Sequence, residues 1–312
     1  MSKVLITTSS FSLGNFAQAK SLHDAGISIE LNPYGRRLSE DEVADLVAND
    51  VIAILAGLEP LTDRVLSNAK SLRVIARCGT GLDSVDLNAA NRLGIDVFNT
   101  PDAPTQAVAE LTIAHMLNSL RHISTTDANM RSGSWTPTMG SLLATKTVGL
   151  IGLGRIGGAV AKLAQAFGSR VIAFDPVVNS HSSVELFSLD EVLRQADIVS
   201  LHVPINDQTH HILNAHNISQ MKPGSIIVNV SRGGLIDESA LEDALKSQHV
   251  SGAALDCFEE EPYTGPLLQL PNVQVTAHMG SYARETRDLM EVEASTNLVN
   301  GLRKRGLIQP ID

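Results

Sequence analysis

The segment TVGLIGLGRIGGAVAKLAQAFGSRVIAFDP, residues 147–176, decides the fold. Its first residues, Thr147–Ile151, form an apolar run that predicts a buried strand. Glycines then alternate with other residues at 152–157, and the amphipathic stretch that follows predicts a helix reaching Phe167. Arg170–Phe174 predicts a second strand. A strand, a crossover helix and a second strand form a βαβ unit, so the two strands are expected to lie parallel in one sheet.

Short apolar runs alternate with longer amphipathic stretches over most of the chain, which predicts an α/β fold built on parallel sheets. Ser188-x-x-Glu191 predicts a capping box at one helix start, and Asp237 predicts the N-cap of another helix. The polar segment 125–139 is predicted to be a surface connection. Further strands are predicted at residues 4–7, 51–56, 73–76, 198–202, 225–229, 252–255 and 273–276.

The predicted strands fall into two groups, which lie on either side of an apolar helix predicted at residues 105–120. After the last strand, a helix is predicted from residue 283 to about residue 305. This helix has no place in the second sheet, so we expect it to return to the first group. The sequence therefore predicts a discontinuous first domain, residues 1–100 plus 283–312, and a second domain, residues 101–282.

Composition argues against several classes of function. Lys and Arg total 24 against 34 for Asp and Glu, and the resulting formal charge of −10 argues against binding to a phosphodiester backbone. No stretch approaches the roughly 20 apolar residues that span a bilayer, and the N-terminus lacks the pattern of a signal peptide. We therefore expect a cytoplasmic protein that binds neither nucleic acid nor membrane.

Neither a disulfide nor a metal site is predicted. Cys78 and Cys257 are too few for a disulfide framework and are not spaced like metal ligands. Cys78, beside Gly79, is expected to serve packing rather than to act as a nucleophile. The pair His210-His211 raises the possibility of a metal site, but no further ligand follows at a suitable spacing.

The glycine-rich turn has the pattern of a dinucleotide site. Gly152 permits a tight turn, Gly154 lets the backbone approach a pyrophosphate, and Gly157 lets the helix pack closely on the strand. Asp175 ends the second strand, where a carboxylate accepts hydrogen bonds from the adenosine ribose and repels a 2′-phosphate, so NAD is favoured over NADP. The alternative is that the glycines serve only helix packing and that Asp175 caps a turn before Pro176.

Three loops that follow predicted strands carry reactive side chains, at the end of a parallel sheet where ligands bind. Arg232 offers a guanidinium fork that matches a carboxylate, and His278 offers an imidazole for proton transfer. Glu261 would favour the imidazolium form of a neighbouring histidine. Together they suit an oxidoreductase acting on a 2-hydroxy acid. The alternative is a solvated arginine, a structural histidine and a solvated acidic run at 259–261.

A set of segments spread over nearly the whole chain matches one known family. The segments are ARCGTGLDSVDLNAA, FNTPDAPTQAVAELTIAHML, VGLIGLGRIG, SLHVP, MKPGSIIVNVSRGGLID, GAALDCFEEEP and NVQVTAHMGS. In these segments the chain resembles the D-isomer-specific 2-hydroxyacid dehydrogenases, and among them most closely the D-3-phosphoglycerate dehydrogenases. The resemblance implies that Arg232, Glu261 and His278 form a catalytic triad.

The resemblance also implies an architecture of two Rossmann-like domains with a cleft between them. Residues 1–100 plus 283–312 would form the substrate-binding (catalytic) domain, completed by the C-terminal helix, and residues 101–282 the NAD-binding domain. Members of the family are typically homodimers or larger homo-oligomers. The implied cofactor contacts are Gly152, Gly154, Arg155, Ile156, Gly157, Asp175, Val230, Arg232, Asp256, His278 and Gly280. The implied substrate contacts are Arg77, Gly79, Thr80, Gly81 and Arg232.

The resemblance makes oxidation of 3-phosphoglycerate to 3-phosphohydroxypyruvate, a step of serine biosynthesis, the first expectation for the reaction. Two departures weigh against it. The loop at residues 56–60 reads AGLEP and lacks the cation common in phosphoglycerate dehydrogenases, and the sequence ends at Asp312 without the regulatory domain of longer relatives. The alternatives are a glyoxylate, hydroxypyruvate or D-lactate type of reductase, and a non-enzymatic scaffold that senses NAD(H).

Overall fold

The computed structural model describes residues 2–48 and 50–309. The chain divides into two compact units, the first formed by Met1–Pro104 with Tyr282–Asp312 and the second by Thr105–Ser281. Each unit contains one parallel sheet, so the predicted α/β fold with two parallel sheets is confirmed. The strands and helices are, in chain order, β1 (Lys3–Ile6), α1 (Ala19–Asp24), β2 (Ser28–Leu31), α2 (Glu40–Val47), β3 (Val51–Ala56), α3 (Asp63–Asn68), β4 (Val74–Arg77), α4 (Leu87–Arg92), β5 (Asp96–Phe98), α5 (Thr105–Arg121), α6 (Ile123–Arg131), β6 (Thr147–Ile151), α7 (Arg155–Ala166), β7 (Arg170–Phe174), β8 (Glu185–Leu186), α8 (Leu189–Gln195), β9 (Ile198–Leu201), α9 (Ala215–Ser219), β10 (Ser225–Asn229), α10 (Glu238–Lys246), β11 (Val250–Leu255), β12 (Val273–Val275) and α11 (Arg284–Lys304).

The sheet of the first unit has the strand order β2-β1-β3-β4-β5 over the described residues. Both faces of this sheet are buried, which is why β3 reads as a continuous apolar run rather than an alternating one. Ala53 and Leu55 pack in the cluster that contains α11, whereas Ile54 and Ala56 pack in the cluster that contains α2 and α3. Helices on two faces therefore enclose the central strands.

Helix α11 belongs to the first unit because it packs on β3, β4 and β5. Met290, Ala294, Leu298 and Leu302 follow one another at helical spacing and are buried against that sheet. A Cβ atom added at Gly301 would lie 2.9 Å from side-chain atoms of both Phe98 and Val74, so the glycine allows a close approach of helix and sheet. The C-terminal segment thus completes the core begun by the first hundred residues.

The sheet of the second unit has the order β12-β11-β10-β9-β6-β7-β8. The chain starts this sheet at β6, builds outward to β8 and then returns to the other side of β6 with β9, so the strand order reverses between β6 and β9. In open parallel sheets ligands bind beyond the carboxyl ends of the strands at such a switch point. The glycine-rich turn at 152–157 leaves β6 at that place.

The predicted helix starts are confirmed. Ser188 and Glu191 form a reciprocal capping box at α8, and the Asp237 side chain accepts a hydrogen bond from the Ala240 amide at the start of α10. Among the described residues, no helix is long and apolar enough to cross a membrane.

The surface connection predicted at residues 125–139 lies at the surface, since none of its residues is buried, but its first part is helical because α6 covers Ile123–Arg131. This helix buries none of its residues, so its sequence has no apolar stripe from which a helix could be predicted. Strands β2, β5 and β8 were also not predicted. Each is short, and none of their residues is buried, so they lack the apolar runs that mark the central strands.

Candidate active site

The glycine-rich turn is shaped by close backbone contacts at the switch point. Gly152 has a φ of +104°, and a Cβ there would lie 2.6 Å from the carbonyl carbon of His202, just past β9. A Cβ at Gly157 would overlap the carbonyl of Gly152. Gly154 differs, because a Cβ there would meet nothing within 4 Å. The first and third glycines are therefore required by packing, whereas the second faces open space.

The start of α7 has the features of an anion site. Gly154 is the N-cap residue and provides no side-chain cap, and the first turn of the helix contains no acidic residue. Gly154 and Arg155 are exposed. A helix start with uncapped amide groups and a positive dipole end favours a phosphate group. The arrangement fits the pyrophosphate of a dinucleotide.

Asp175, which follows β7, holds the glycine-rich turn in place. Its Oδ2 accepts a 2.7 Å hydrogen bond from the Leu153 amide, and its Oδ1 accepts bonds of 2.8 Å and 2.9 Å from the amides of Val177 and Val178. Partial burial works to raise the pKa of Asp175, but these three bonds outweigh it and the pKa is lowered. Asp175 thus caps its own turn and also lies against the glycine-rich turn.

His278 and Glu261, 17 residues apart in sequence, are in direct contact. Nδ1 of His278 lies 2.9 Å from each carboxylate oxygen of Glu261, and both side chains are about three-quarters buried, at 25% and 21% exposed. The Phe258 amide donates a further bond of 3.1 Å to Glu261 Oε1. Because a carboxylate only accepts hydrogen bonds, Nδ1 carries the proton. Nε2 is the ring nitrogen that does not contact Glu261.

The loop that carries His278 is held from beneath by Asp256, which is 1% exposed. Asp256 Oδ1 accepts a 2.8 Å bond from the Met279 amide, Oδ2 accepts a 2.8 Å bond from the Gly280 amide, and the Thr276 hydroxyl donates to Oδ1. His278 has a φ of +51°, a conformation that non-glycine residues rarely adopt. Two of these bonds fix the backbone after this strained residue, and the third holds the Thr276 side chain before it.

A second layer of polar contacts connects this loop to α5. His115 Nε2 lies 3.2 Å from the Thr276 hydroxyl, which donates its single hydrogen to Asp256, so His115 carries its proton on Nε2. Burial lowers the pKa of His115, although the Asp256 charge and a bond to Gln274 oppose this effect. Gln274 in turn bonds Asn118 and Ser119 of α5, at 2.6 Å and 2.7 Å.

Arg232 leaves the end of β10 on a backbone that Asn229 holds rigid. Asn229 accepts a bond of 3.1 Å from the Ser231 amide and donates one of 2.8 Å to the Arg232 carbonyl. A Cβ at Gly233 would overlap the backbone of Phe258 and Glu259, so the loop after β10 lies against the loop that carries Glu261. Arg232 and Glu261 both act electrostatically on the buried Cys257 thiol, which places both near the end of β11.

The remaining predicted contacts in the second unit lie at the same edge of the sheet. Val230 follows β10 and is buried, Ile156 lies in the first turn of α7, and Gly280 is buried against Asp256 and Val108. The structure therefore places the predicted triad and the predicted cofactor contacts after the carboxyl ends of β6, β7, β10, β11 and β12, on loops or in the first turn of α7.

The predicted substrate contacts Arg77, Gly79, Thr80 and Gly81 lie in the first unit, at and after the end of β4. Arg77 is only 5% exposed, and its Nη1 donates to the Cys78 carbonyl. A Cβ at Gly79 would overlap the Arg77 guanidinium, so this group folds back over its own loop.

Glu59, a buried carboxyl at the end of β3, was not singled out as a site residue from the sequence. It is 1% exposed, contacts the Thr7 hydroxyl and accepts bonds of 3.0 Å from the Gly57 amide. Burial raises the pKa of Glu59, opposed by these bonds and by the nearby charge of Arg77. The loop at 56–60 therefore contributes a buried acidic side chain and no cation.

The two cysteines serve packing. Cys78 and Cys257 are each 2% exposed and free. Burial raises the pKa of the Cys78 thiol to about 11 and raises that of Cys257 well above its ordinary value. Both thiols stay protonated at neutral pH and are poor nucleophiles.

Comparison with known proteins identifies close relatives. The family model described as "D-isomer specific 2-hydroxyacid dehydrogenase, NAD binding domain" matches residues 113–280. The chain is 40% identical over 271 residues to a hydroxypyruvate reductase of Thermotoga maritima, and the match covers 85% of this chain and 89% of that relative. It is 42% identical over 259 residues to the D-3-phosphoglycerate dehydrogenase of Methanocaldococcus jannaschii, a match covering 80% of this chain and 49% of that relative.

A solved structure supports the same grouping. The D-lactate dehydrogenase of Aquifex aeolicus, solved with NAD and lactic acid, superposes with a TM-score of 0.85 at 27% identity. The match covers 97% of this chain and 96% of that structure.

His202, beside the glycine-rich turn, generates a prediction on stability. Its Nδ1 is sealed from solvent without a hydrogen-bond partner among the described residues, and burial lowers the pKa of His202 to about 3. Below the ordinary histidine pKa of about 6.5, His202 becomes protonated in the unfolded chain but stays neutral in the folded chain. The free energy of unfolding therefore falls as the pH falls. Between pH 7 and pH 5 this group should cost about 2 kcal/mol in the free energy of unfolding.

Urea unfolding of the wild type and of His202→Asn at pH 7 and pH 5 measures this contribution. The variant should lose about 2 kcal/mol less than the wild type over that interval. The variant His216→Asn, at an exposed histidine of α9, is the matched control and should follow the wild type. Equal losses in the wild type and in His202→Asn would contradict the assignment.

Proposed function

Because this chain belongs to the D-isomer-specific 2-hydroxyacid dehydrogenase family, we propose roles for its residues in the reaction of that family. Family membership makes the chain an NAD-dependent oxidoreductase that acts on the CH–OH group of 2-hydroxy acids. The contact between His278 and Glu261, at the sheet edge that carries the glycine-rich turn, is the observation that supports these roles.

The second unit would hold the cofactor, and the first unit is proposed to carry further substrate contacts. Gly154 and the start of α7 would bind the pyrophosphate, with the open space at Gly154 as the supporting observation. Asp175 would bind the adenosine ribose. A carboxylate has about four acceptor positions, and three are taken by backbone amides, so about one is left for a ribose hydroxyl. The bound nicotinamide supplies the acceptor or donor of the C2 hydride.

His278 is proposed as the acid–base group. Glu261 accepts a hydrogen bond from the protonated Nδ1 and fixes the ring, so Nε2 is the atom that takes the hydroxyl proton in oxidation and returns it in reduction. The Glu261 carboxylate then faces the positive charge that the ring carries while it holds both protons. Arg232, on the neighbouring loop, would bind the substrate carboxylate through its guanidinium fork.

The substrate is proposed to be either an acid without a phosphate or a phosphorylated acid. We favour a 2-oxo acid without a phosphate, such as hydroxypyruvate or glyoxylate. Arg77 is buried and folded over its own loop, and the loop at 56–60 places Glu59 beside it. Neither Arg77 nor the loop at 56–60 therefore presents an exposed cation that could bind a phosphate. The match to a hydroxypyruvate reductase over 89% of its length supports the same choice.

The second candidate is 3-phosphoglycerate, for which the sequence motifs gave the first expectation and which would place the chain in serine biosynthesis. It is supported by the 42% identity to a D-3-phosphoglycerate dehydrogenase, of which this chain spans about half.

A homodimer or larger assembly is also part of the proposal. Around α6 the second unit exposes several large apolar side chains, which a partner surface would cover. These side chains are Ile123, Met130, Trp135, Met139 and Leu142, with Trp135 84% and Met139 92% exposed.

Turnover should depend on the His278 ring. His278→Asn removes the proton carrier, so kcat should fall by roughly 10²- to 10⁴-fold while NADH binding changes little. The rate of change of NADH absorbance at saturating substrate gives kcat, and fluorescence titration gives the NADH dissociation constant. His216→Asn, at an exposed histidine of α9, is the control. Normal turnover in His278→Asn would overturn the acid–base role.

Cofactor preference should depend on Asp175. Asp175→Asn keeps one acceptor oxygen, enough for the Val177 and Val178 amides, loses the second acceptor that the Leu153 amide uses, and removes the negative charge that opposes a 2′-phosphate. The ratio of kcat/KM for NADH over NADPH should fall by about 10-fold or more, an amount comparable to one hydrogen bond to a charged group. An unchanged ratio would count against the ribose contact.

A panel of 2-oxo acids separates the two substrate classes. With NADH in excess, kcat/KM for hydroxypyruvate, glyoxylate or pyruvate should exceed that for 3-phosphohydroxypyruvate by about 10-fold or more, because an unpaired phosphate loses its charge-assisted hydrogen bonds. A clear preference for the phosphorylated acid would overturn this choice and restore 3-phosphoglycerate as the substrate.

A further inference from the structure

The pair His210-His211, for which the sequence offered no third ligand, acquires one in the folded chain. Glu259, from the loop after β11, contacts His211 Nε2 with its carboxylate. The two imidazole rings are stacked, with centroids 4.0 Å apart. One donor atom from each of the three residues lies within 4.8 Å of the other two.

This donor set matches the chemistry of a transition-metal site. Two imidazole nitrogens and one carboxylate oxygen are a ligand set that Zn²⁺ uses with a fourth, open position. Ligands at about 2.0–2.2 Å in a tetrahedron lie about 3.4 Å apart. The touching pair His211–Glu259 must therefore open slightly, while donor atoms that lie up to 4.8 Å apart must approach each other by about 1 Å. All three are at least partly exposed, with His211 and Glu259 side chains 33% and 39% exposed, so such a shift needs no repacking of the core.

The backbone beneath the three residues is well fixed. The His210 amide donates to the Asn206 carbonyl and the His211 amide donates to the Gly234 carbonyl, each at 2.8 Å. The Glu259 amide donates a 2.8 Å bond to Glu238 Oε1, so a second carboxylate lies beside the cluster. A rigid frame holds the ligands together before any ion binds, and two acidic side chains near two imidazoles favour a cation.

We propose that His210, His211 and Glu259 form a binding site for a divalent transition-metal ion of the Zn²⁺ class. The site is separate from the acid–base pair, whose residues are Glu261 and His278, and the proposal does not rest on the proposed function. An ion there would be held at the surface by three protein ligands, with water completing its coordination. Zn²⁺, which has no oxidation chemistry of its own, and Co²⁺, which reports tetrahedral geometry by its visible absorption, are the probes.

The test uses the full chain without an affinity tag, treated with a chelator and then titrated with Zn²⁺ by calorimetry and with Co²⁺ by absorption. The wild type should bind one ion per chain with visible Co²⁺ bands. His210→Ala and Glu259→Ala should each weaken binding by at least 10-fold and remove those bands. Both substitutions are at exposed positions, and circular dichroism confirms that the variants are folded.

Two controls decide which residues hold the ion. His216→Ala removes another exposed histidine, and His278→Asn removes the other histidine paired with a carboxylate, so both variants should bind the ion as the wild type does. Full binding in His210→Ala, or a requirement for His278, would overturn the proposal. Absence of stoichiometric binding in the wild type would also overturn it, and the cluster would then be an exposed ion pair only.

Discussion

The parallel arrangement of the second sheet is the constraint on which the candidate site depends. Because every strand runs in the same direction, the loops after β6, β7, β10, β11 and β12 all emerge at one edge, and residues far apart in sequence meet there. The buried Asp256 carboxylate then determines the position of His278, since it binds the amides of Met279 and Gly280 on the far side of a strained residue. Preorganisation of this kind lets one ring face Glu261 without further ordering on binding.

The proposed cofactor site and the proposed acid–base pair lie on different parts of the same edge. The glycine-rich turn needs close backbone contacts at Gly152 and Gly157, and Asp175 fixes it through the Leu153 amide. The acid–base pair instead needs two loops brought together by side chains. The sheet can therefore be kept while loops at its edge change, which explains why relatives named for different substrates share this fold.

Much of this arrangement could be predicted from the sequence, because its signals are local. Central strands are continuous apolar runs, and each predicted site residue follows such a run. Contacts between distant segments leave no such signal: the His115–Thr276–Asp256 chain and the meeting of His211 with Glu259 depend on the folded sheet. Helix α6 was not predicted because it buries no residue and so has no apolar pattern. Glu59 was not predicted because the sequence of a loop does not distinguish a buried acidic residue from an exposed one.

The central claim is that the His278–Glu261 pair carries the hydroxyl proton while a hydride passes between the nicotinamide and C2 of a 2-hydroxy acid with D configuration. The most direct measurement incubates the purified chain with NADH and a prochiral 2-oxo acid, hydroxypyruvate or pyruvate, and resolves the product by chiral chromatography. The account predicts that one D-2-hydroxy acid forms for each NADH consumed, and that His278→Asn forms almost none. An L product, or equal product formation by the variant, would contradict it.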